Sequence, residues 1–123
     1  MHITSPTMRD FAKLFKALSD ETRLRILKVL LERECCVCEV MQALGISQSR
    51  ASRNLGILED AGFIRSRREG LWIVYSINKQ TMNNYVASLI EVLRGSLVNE
   101  RIILQDRERL SQAVRVGPRA IGK

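Results

Sequence analysis

Histidine is almost absent from this chain of 123 residues, since His2 is the only one. Catalysis by cysteine needs a base beside the nucleophile, and a closed zinc site needs four ligands. The sequence offers no histidine near its cysteines for either purpose, and it has no glycine-rich phosphate loop and no paired-carboxylate pattern. We therefore expect that the protein is not an enzyme and has no catalytic cofactor.

Long apolar runs are missing as well. No stretch approaches the roughly 18 residues that a membrane span needs, and the first six residues have neither the basic start nor the apolar core of a secretion signal. We expect a cytoplasmic protein that does not enter a membrane. In that compartment the three cysteines, at positions 35, 36 and 38, are not expected to form a structural disulfide. Their clustering instead favours a set of ligands or a redox site.

Basic residues outnumber acidic ones, with 20 lysines and arginines against 13 aspartates and glutamates, which gives a formal net charge of +7. Such a balance favours a polyanionic partner such as nucleic acid. The length and a hydrophobic content of 46% suit one folded domain. We predict a flexible N-terminus over residues 1–7, the folded domain over 8–110 and a loose basic tail over 111–123.

The central part of the chain shows the pattern of two helices joined by a tight turn. Gly45 follows the first helix, at a position where a residue without a Cβ atom readily takes a left-handed conformation. Ser47 is placed to cap the second helix. The apolar face of that helix carries Ala51, Leu55 and Leu58 at helical spacing. This pattern predicts a helix-turn-helix.

Hydrogen-bonding side chains cluster near the start of the second helix and on the hairpin that follows it. The hairpin has predicted strands at 63–65 and 71–77 around a tip at 67–70, which makes it a wing. A helix-turn-helix presents the first residues of its second helix to the major groove, where such side chains read base edges and phosphates. The alternative is an ordinary amphipathic helix with a solvated polar face. The candidates for DNA contact are Ser47, Gln48, Ser49, Arg50, Ser52, Arg53, Arg65, Arg67 and Arg68.

The chain resembles the ArsR/SmtB family of metal-sensing winged-helix repressors. The resemblance lies in the order of these elements and in two segments, SDETRLRIL at 19–27 and SQSRASRNL at 47–55, and it covers roughly residues 11–78. It implies a mainly α-helical fold with a β-hairpin wing, which binds a palindromic operator in double-stranded DNA as a homodimer. A broad apolar stripe between Met82 and Leu97 also favours a symmetric dimer.

The block CVCEV at 36–40 looks like the thiolate motif of the arsenic- and antimony-responsive branch of that family. The resemblance implies trivalent arsenic or antimony, As(III) or Sb(III), as an effector bound by Cys36 and Cys38, and we add Cys35 as the third ligand. Met41 stands where this branch often has a further cysteine, and Asn54 stands where family members often have histidine, so base preference is expected to differ there. Oxidation of the thiols, another thiophilic metal and inert buried cysteines are the alternatives.

The spacing of the cysteines makes a prediction about mechanism. On a regular helix that begins near Cys35, Cys36 and Cys38 would lie about 200° apart, on opposite sides. A site with three sulfurs would then require the start of the helix to unwind, which would strain the helix-turn-helix and release DNA. A structural DNA-binding protein without an effector would not need three clustered cysteines.

Overall fold

The computed structural model describes residues 6–80 and 83–116. Residues 1–5 of the predicted flexible N-terminus lie outside this range, whereas Thr7 accepts a hydrogen bond from the Asp10 N–H and caps the first helix. No helix among the described residues is long and apolar enough to cross a membrane. The elements are, in chain order, α1 (Met8–Leu18), α2 (Glu21–Glu32), β1 (Cys35–Cys36), α3 (Val37–Leu44), α4 (Gln48–Asp60), β2 (Ile64–Glu69), β3 (Trp72–Ile77), α5 (Asn84–Arg94) and α6 (Arg101–Gln112).

The predicted helix-turn-helix is confirmed, and local rules explain its geometry. Gly45 ends α3 with a φ of 69°, the left-handed conformation that glycine adopts without strain. Ser47 Oγ accepts a hydrogen bond of 3.2 Å from the Arg50 N–H at the start of α4. The predicted apolar face of α4 is fully buried in the core that α2, α3 and the hairpin share with it; it consists of Ala51, Leu55 and Leu58.

The wing is a longer hairpin than the sequence predicts. β2 and β3 pair without interruption from Ile64 opposite Ile77 to Glu69 opposite Trp72. The turn is therefore confined to Gly70, with a φ of 63°, and Leu71, and the predicted tip over 67–70 is wrong. The sheet has a third strand that sequence reasoning missed, because β1 pairs with the outer side of β3.

Helix α6 is fixed to the helix-turn-helix by a buried ion pair. Asp106, which is 2% exposed, accepts two hydrogen bonds of 2.8 Å from Arg25 of α2. The hydrogen bonds that Arg25 donates to Asp106 raise the pKa of Arg25, and the same guanidinium donates to the Leu44 carbonyl at the end of α3. This contact places α6 against both α2 and α3.

The predicted loose tail over 111–123 is wrong for its described part. Helix α6 includes residues 111 and 112, and residues 113–116 leave the helix in an extended course that hydrogen-bonds to α3 and the wing. Residues 117–123 lie outside the described residues. The segment 113–116, here named the C-terminal strap, therefore belongs to the folded domain.

We predict that Asp106→Ala lowers the free energy of unfolding by about 3 kcal/mol, because it leaves the Arg25 guanidinium without its buried partner. Denaturant unfolding monitored by circular dichroism measures this change. Glu108→Ala on the same helix is the control, since Glu108 is exposed and should change stability by less than about 0.5 kcal/mol. Equal effects of the two substitutions would show that the ion pair does not anchor α6.

Candidate nucleic-acid interface and cysteine site

The first two turns of α4 present a polar surface next to the buried face. The side chains of Gln48, Ser49, Ser52 and Arg53 are exposed there. Among the described residues, no hydrogen bond or ion pair engages the Arg53 guanidinium. Arg53 is therefore available to a ligand, as the predicted role in DNA contact requires.

Two polar residues of α4 face α2 instead. Arg50 donates a hydrogen bond of 2.7 Å to the hydroxyl of Thr22, and this contact ties its guanidinium to α2. Asn54 is buried, accepts a hydrogen bond of 3.0 Å from Arg23 and donates one to the Arg50 carbonyl. The expectation that Asn54 alters base preference is not supported, because its amide holds α4 against α2 rather than facing outward.

The three arginines predicted for the wing have different partners. Arg67 forms hydrogen bonds of 2.8 Å to both carboxylate oxygens of Glu34 and one of 2.7 Å to Glu69. These bonds, those to Glu34 first, raise the pKa of Arg67 and neutralise its charge locally. Arg65 donates to Gln80, whereas Arg68 is exposed and has no partner among the described residues. Arg68 is thus the wing arginine with the greatest freedom to meet a phosphate.

The cysteines lie where β1 passes into α3, and the helix starts two residues later than expected. Cys36 is the N-cap of α3, with an extended backbone at φ −80° and ψ 170°. Glu39 accepts a hydrogen bond of 2.9 Å from the Cys36 N–H, in the manner of a capping box. Because Cys36 is outside the helix, the 100° rotation per residue that governs helical side chains does not apply to it.

This geometry overturns two expectations from the sequence. The structure brings the Sγ atoms of Cys36 and Cys38 into disulfide contact, with their Cα atoms 5.4 Å apart. The prediction that the two side chains lie on opposite sides is therefore wrong, and the helix need not unwind for both sulfurs to meet one ligand. The expectation that the cluster forms no disulfide is contradicted for this pair.

Cys35 does not join the pair. Neighbouring residues of a strand point to opposite faces, so Cys35 faces the hydrophobic core, where it is fully buried. Its thiol approaches the Arg33 carbonyl at 3.5 Å, and burial raises its pKa to about 12. The predicted set of three sulfurs is not brought together, and no group of three His, Cys, Asp or Glu among the described residues could hold a metal ion.

A buried carboxylate that sequence reasoning missed lies beside the pair. Glu39 is 4% exposed, and it receives hydrogen bonds from Arg33 at 2.6 Å and from Arg115 at 3.3 Å. Burial alone would raise the pKa of Glu39, but the hydrogen bonds from Arg33 and the Cys36 N–H bring it below its ordinary value. Its position three residues after the N-cap is the signal by which it could have been found.

Helix α4 is capped at its start and packs its apolar face into the core, and a two-stranded hairpin follows it. This arrangement defines a winged helix-turn-helix domain. Residues 20–66 match the family model described as bacterial regulatory protein, arsR family. The arsenical resistance operon repressor of Bacillus subtilis is 34% identical to this chain over 84 residues. The matched segment covers 68% of this chain and 80% of that protein. The chain belongs to the arsR family of bacterial regulatory proteins.

Other relatives match over a smaller part of their length. The CadC homologue of Staphylococcus aureus, a cadmium resistance transcriptional regulatory protein, is 42% identical over 78 residues, which cover 63% of this chain and 64% of that protein. An arsenic resistance transcriptional regulator of Pseudomonas putida is 43% identical over 68 residues, covering 54% and 53%. The chain thus spans between half and two thirds of the length of these two relatives.

Solved structures support the same assignment. The homodimeric winged helix-turn-helix DNA-binding domain of a possible ArsR-family regulator from Mycobacterium bovis matches with a TM-score of 0.61 at 32% identity, covering 71% of this chain and 77% of that one. The antimony-specific transcriptional repressor AntR matches with a TM-score of 0.57 at 31% identity, covering 75% and 80%. Both likenesses have TM-scores above 0.5 over about three quarters of this chain, and they support the winged helix-turn-helix fold.

We predict that Cys35 of the native, reduced protein reacts with iodoacetamide at pH 8 at least about a hundredfold more slowly than in the unfolded chain, because the neutral thiol is buried. Mass spectrometry of the labelled peptide measures the rates. Folding raises the pKa of the Cys35 thiol from its ordinary value of 9.0 to about 12. The contribution of the neutral thiol to the stability of the folded state is therefore complete below pH 9.0 and is lost as the pH rises toward about 12. Equally fast labelling of Cys35 in the native and unfolded chains would contradict its place in the core.

Proposed function

We propose that the protein is a homodimeric repressor that binds a palindromic operator and is released when trivalent arsenic or antimony binds Cys36 and Cys38. The observation that carries this proposal is the convergence of the two sulfur atoms at the N-terminus of α3. Helix α3 leads through Gly45 directly into the recognition helix α4. A ligand at the sulfurs therefore acts on the first half of the DNA-reading unit.

The DNA side of the proposal rests on charge and exposure. The net charge of +7 favours a polyanion, and the exposed start of α4 offers hydroxyl, amide and guanidinium groups at the positions that a helix-turn-helix inserts into the major groove. Among the described arginines of α4 and the wing, Arg53 and Arg68 are the two whose guanidinium groups have no internal hydrogen-bond or ion-pair partner. We assign base and nearby phosphate contacts to α4 and phosphate or minor-groove contacts to the wing. We propose a cytoplasmic location, because the bacterial DNA that the protein would bind lies in the cytoplasm.

The proposal that the protein is a homodimer rests on an exposed aromatic cluster where α1 meets α5. The ring of Phe11 lies 4.8 Å from that of Phe15 and 4.7 Å from that of Tyr85, and all three side chains are exposed. Met8 adds a side chain that is 87% exposed. A second copy would cover this surface and would space two recognition helices about 34 Å apart. The Mycobacterium bovis neighbour is described as homodimeric. Met82, the first residue of the predicted interface stripe, lies outside the described residues.

The effector side rests on the chemistry of the donor pair. Two thiolates select thiophilic ions, and trivalent arsenic and antimony are satisfied by two or three sulfurs in a pyramidal arrangement. The names of the relatives point to cadmium, arsenic and antimony, which all belong to this thiophilic class. Cys35 would have to leave the core to serve as a third ligand. We therefore propose two protein sulfurs, with a small thiol or solvent as the third donor.

We predict that arsenite weakens operator binding by the wild-type protein about 5- to 150-fold, the usual range of coupling between two ligands. Fluorescence anisotropy of a labelled operator, selected from random DNA by the reduced protein, measures the effect. Cys36→Ser and Cys38→Ser should bind the operator normally and lose the response, since serine is also a favourable N-cap at position 36. Cys35→Ala is the matched control and should keep the response. A full response in Cys38→Ser would refute the ligand assignment.

We also predict that Arg53→Ala weakens operator binding at least tenfold, because an arginine contact to a base or phosphate contributes about 1 to 3 kcal/mol. The free energy of unfolding should stay unchanged, since no internal contact of Arg53 is lost. The same anisotropy assay measures the affinity. Arg101→Ala removes an equal charge from the exposed start of α6 and should bind like the wild type within about twofold. Unchanged affinity in Arg53→Ala would refute the recognition-helix assignment.

The disulfide contact between Cys36 and Cys38 favours a second candidate function, a repressor that senses oxidants. In that case hydrogen peroxide takes two electrons and two protons from the thiol pair, which forms one S–S bond and two water molecules. The anisotropy assay separates the two functions. Release by peroxide that a thiol reductant reverses, with no response to arsenite, identifies the redox switch.

A further inference from the structure

The C-terminal strap crosses the face of α3 that carries Cys38. Cys38 and Gln42 are four residues apart, so they share one face of the helix. The Gln42 amide donates to the Cys38 carbonyl at 3.0 Å and to the Val114 carbonyl at 2.6 Å. Its oxygen accepts a hydrogen bond of 3.1 Å from the Val114 N–H. The strap is therefore held by two hydrogen bonds one turn from the cysteine pair.

Arg115 of the strap joins the surroundings of the cysteines to the wing. Its Nε atom donates to Glu39 Oε1 at 3.3 Å, and the same oxygen accepts the hydrogen bond from the Cys36 N–H. Its Nη1 atom donates to Glu69 at the end of β2, at 2.7 Å. The guanidinium also lies 5.7 Å from the centre of the Trp72 ring. A single side chain thus contacts both the capping carboxylate and the hairpin.

The wing holds the strap at a second point, and its own arginine belongs to the same network. The Trp72 indole N–H donates to the Val116 carbonyl at 2.8 Å. One carboxylate oxygen of Glu69 accepts a hydrogen bond from Arg115, and the other accepts one from Arg67. Displacing Arg115 therefore changes the charge that faces Arg67, one of the arginines assigned to DNA.

We propose that the strap closes over Cys36 and Cys38 and that Arg115 transmits the state of this pair to the wing. This inference rests on the proposed function and gives its mechanism of coupling. Cys36 is 1% exposed and Cys38 is 2% exposed, so a ligand reaches the sulfurs only when the strap moves away from them. A bound ion adds volume beside Glu39 and Gln42, the two residues through which α3 holds the strap, and it prevents the strap from closing again.

The energetics favour opening of the strap rather than of the core. The ion pair between Arg115 and Glu69 is partly exposed, with side chains 28% and 47% accessible, and pairs of this kind contribute little to stability. Glu39 keeps its hydrogen bond to Arg33 when Arg115 leaves, so no buried charge is left without a partner. The strap also lies outside residues 20–66, the segment that the family model matches.

The test compares Arg115→Ala and Arg115→Lys with Arg107→Ala, which removes an exposed arginine of α6 that pairs with Glu32. The first readout is the rate at which N-ethylmaleimide labels Cys36 and Cys38 in the reduced, DNA-free protein, measured by mass spectrometry. The second is the ratio of operator Kd values with and without arsenite. Together they separate access to the sulfurs from transmission to the DNA-binding surface.

We expect Arg115→Ala to label about tenfold faster than the wild type, because its cover opens more often. Its arsenite response should shrink at least about threefold, since the link from Glu39 to the wing is gone. Arg115→Lys keeps one charged contact and should fall between these values, and Arg107→Ala should match the wild type.

Wild-type labelling rates together with a full arsenite response in Arg115→Ala would overturn the strap and leave the proposed function intact. A wild-type protein that ignores arsenite would overturn the proposed function and, with it, the transmission by Arg115. In that case unchanged labelling in Arg115→Ala would also overturn the strap as a cover, whereas faster labelling would support it.

Discussion

Glu39 is a buried carboxylate at the start of α3, and the arrangement of the whole cysteine site depends on it. It fixes Cys36 outside the helix by accepting the Cys36 N–H, and so places the sulfur of Cys36 with that of Cys38. It also binds Arg33, which follows α2, and Arg115 of the strap. A charge buried to this degree persists because it is paired on more than one side. The same pairing connects the segment after α2 and the start of α3 to the strap, whose Arg115 lies 76 residues further along the chain than Glu39.

The contacts among the helices around this carboxylate fix the positions of α4 and α6. Arg25 and Asp106 fix α6 to α2 and α3, and the hydrogen bonds of Arg50 and Asn54 fix α4 to α2. These contacts leave the outer face of α4 exposed, whereas the hydrogen bonds of Gln42, Glu39, Glu69 and Trp72 hold the strap against α3 and the wing. In the proposed mechanism, a change at the cysteines has two physical routes to DNA, one through α3 into α4 and one through Arg115 into the wing.

Features governed by local rules could be predicted from the sequence. The left-handed residue Gly45, the cap Ser47 and the apolar spacing of α4 each depend on a few neighbouring residues. The cysteine geometry could not be predicted in this way, because the start of α3 is set by the pairing of β1 with β3, where Cys35 lies opposite Tyr75. The internal role of Asn54 and the folding of residues 113–116 likewise depend on partners that lie far away along the chain.

Thermodynamic reciprocity offers the most direct test of the central claim, that the cysteine pair and the DNA surface are coupled. Isothermal titration calorimetry would measure the arsenite affinity of the reduced protein, free and saturated with operator DNA. The account predicts that operator DNA weakens arsenite binding by the same factor by which arsenite weakens operator binding. Equal arsenite affinities in the free and DNA-bound protein would contradict it, because two uncoupled sites cannot form a switch.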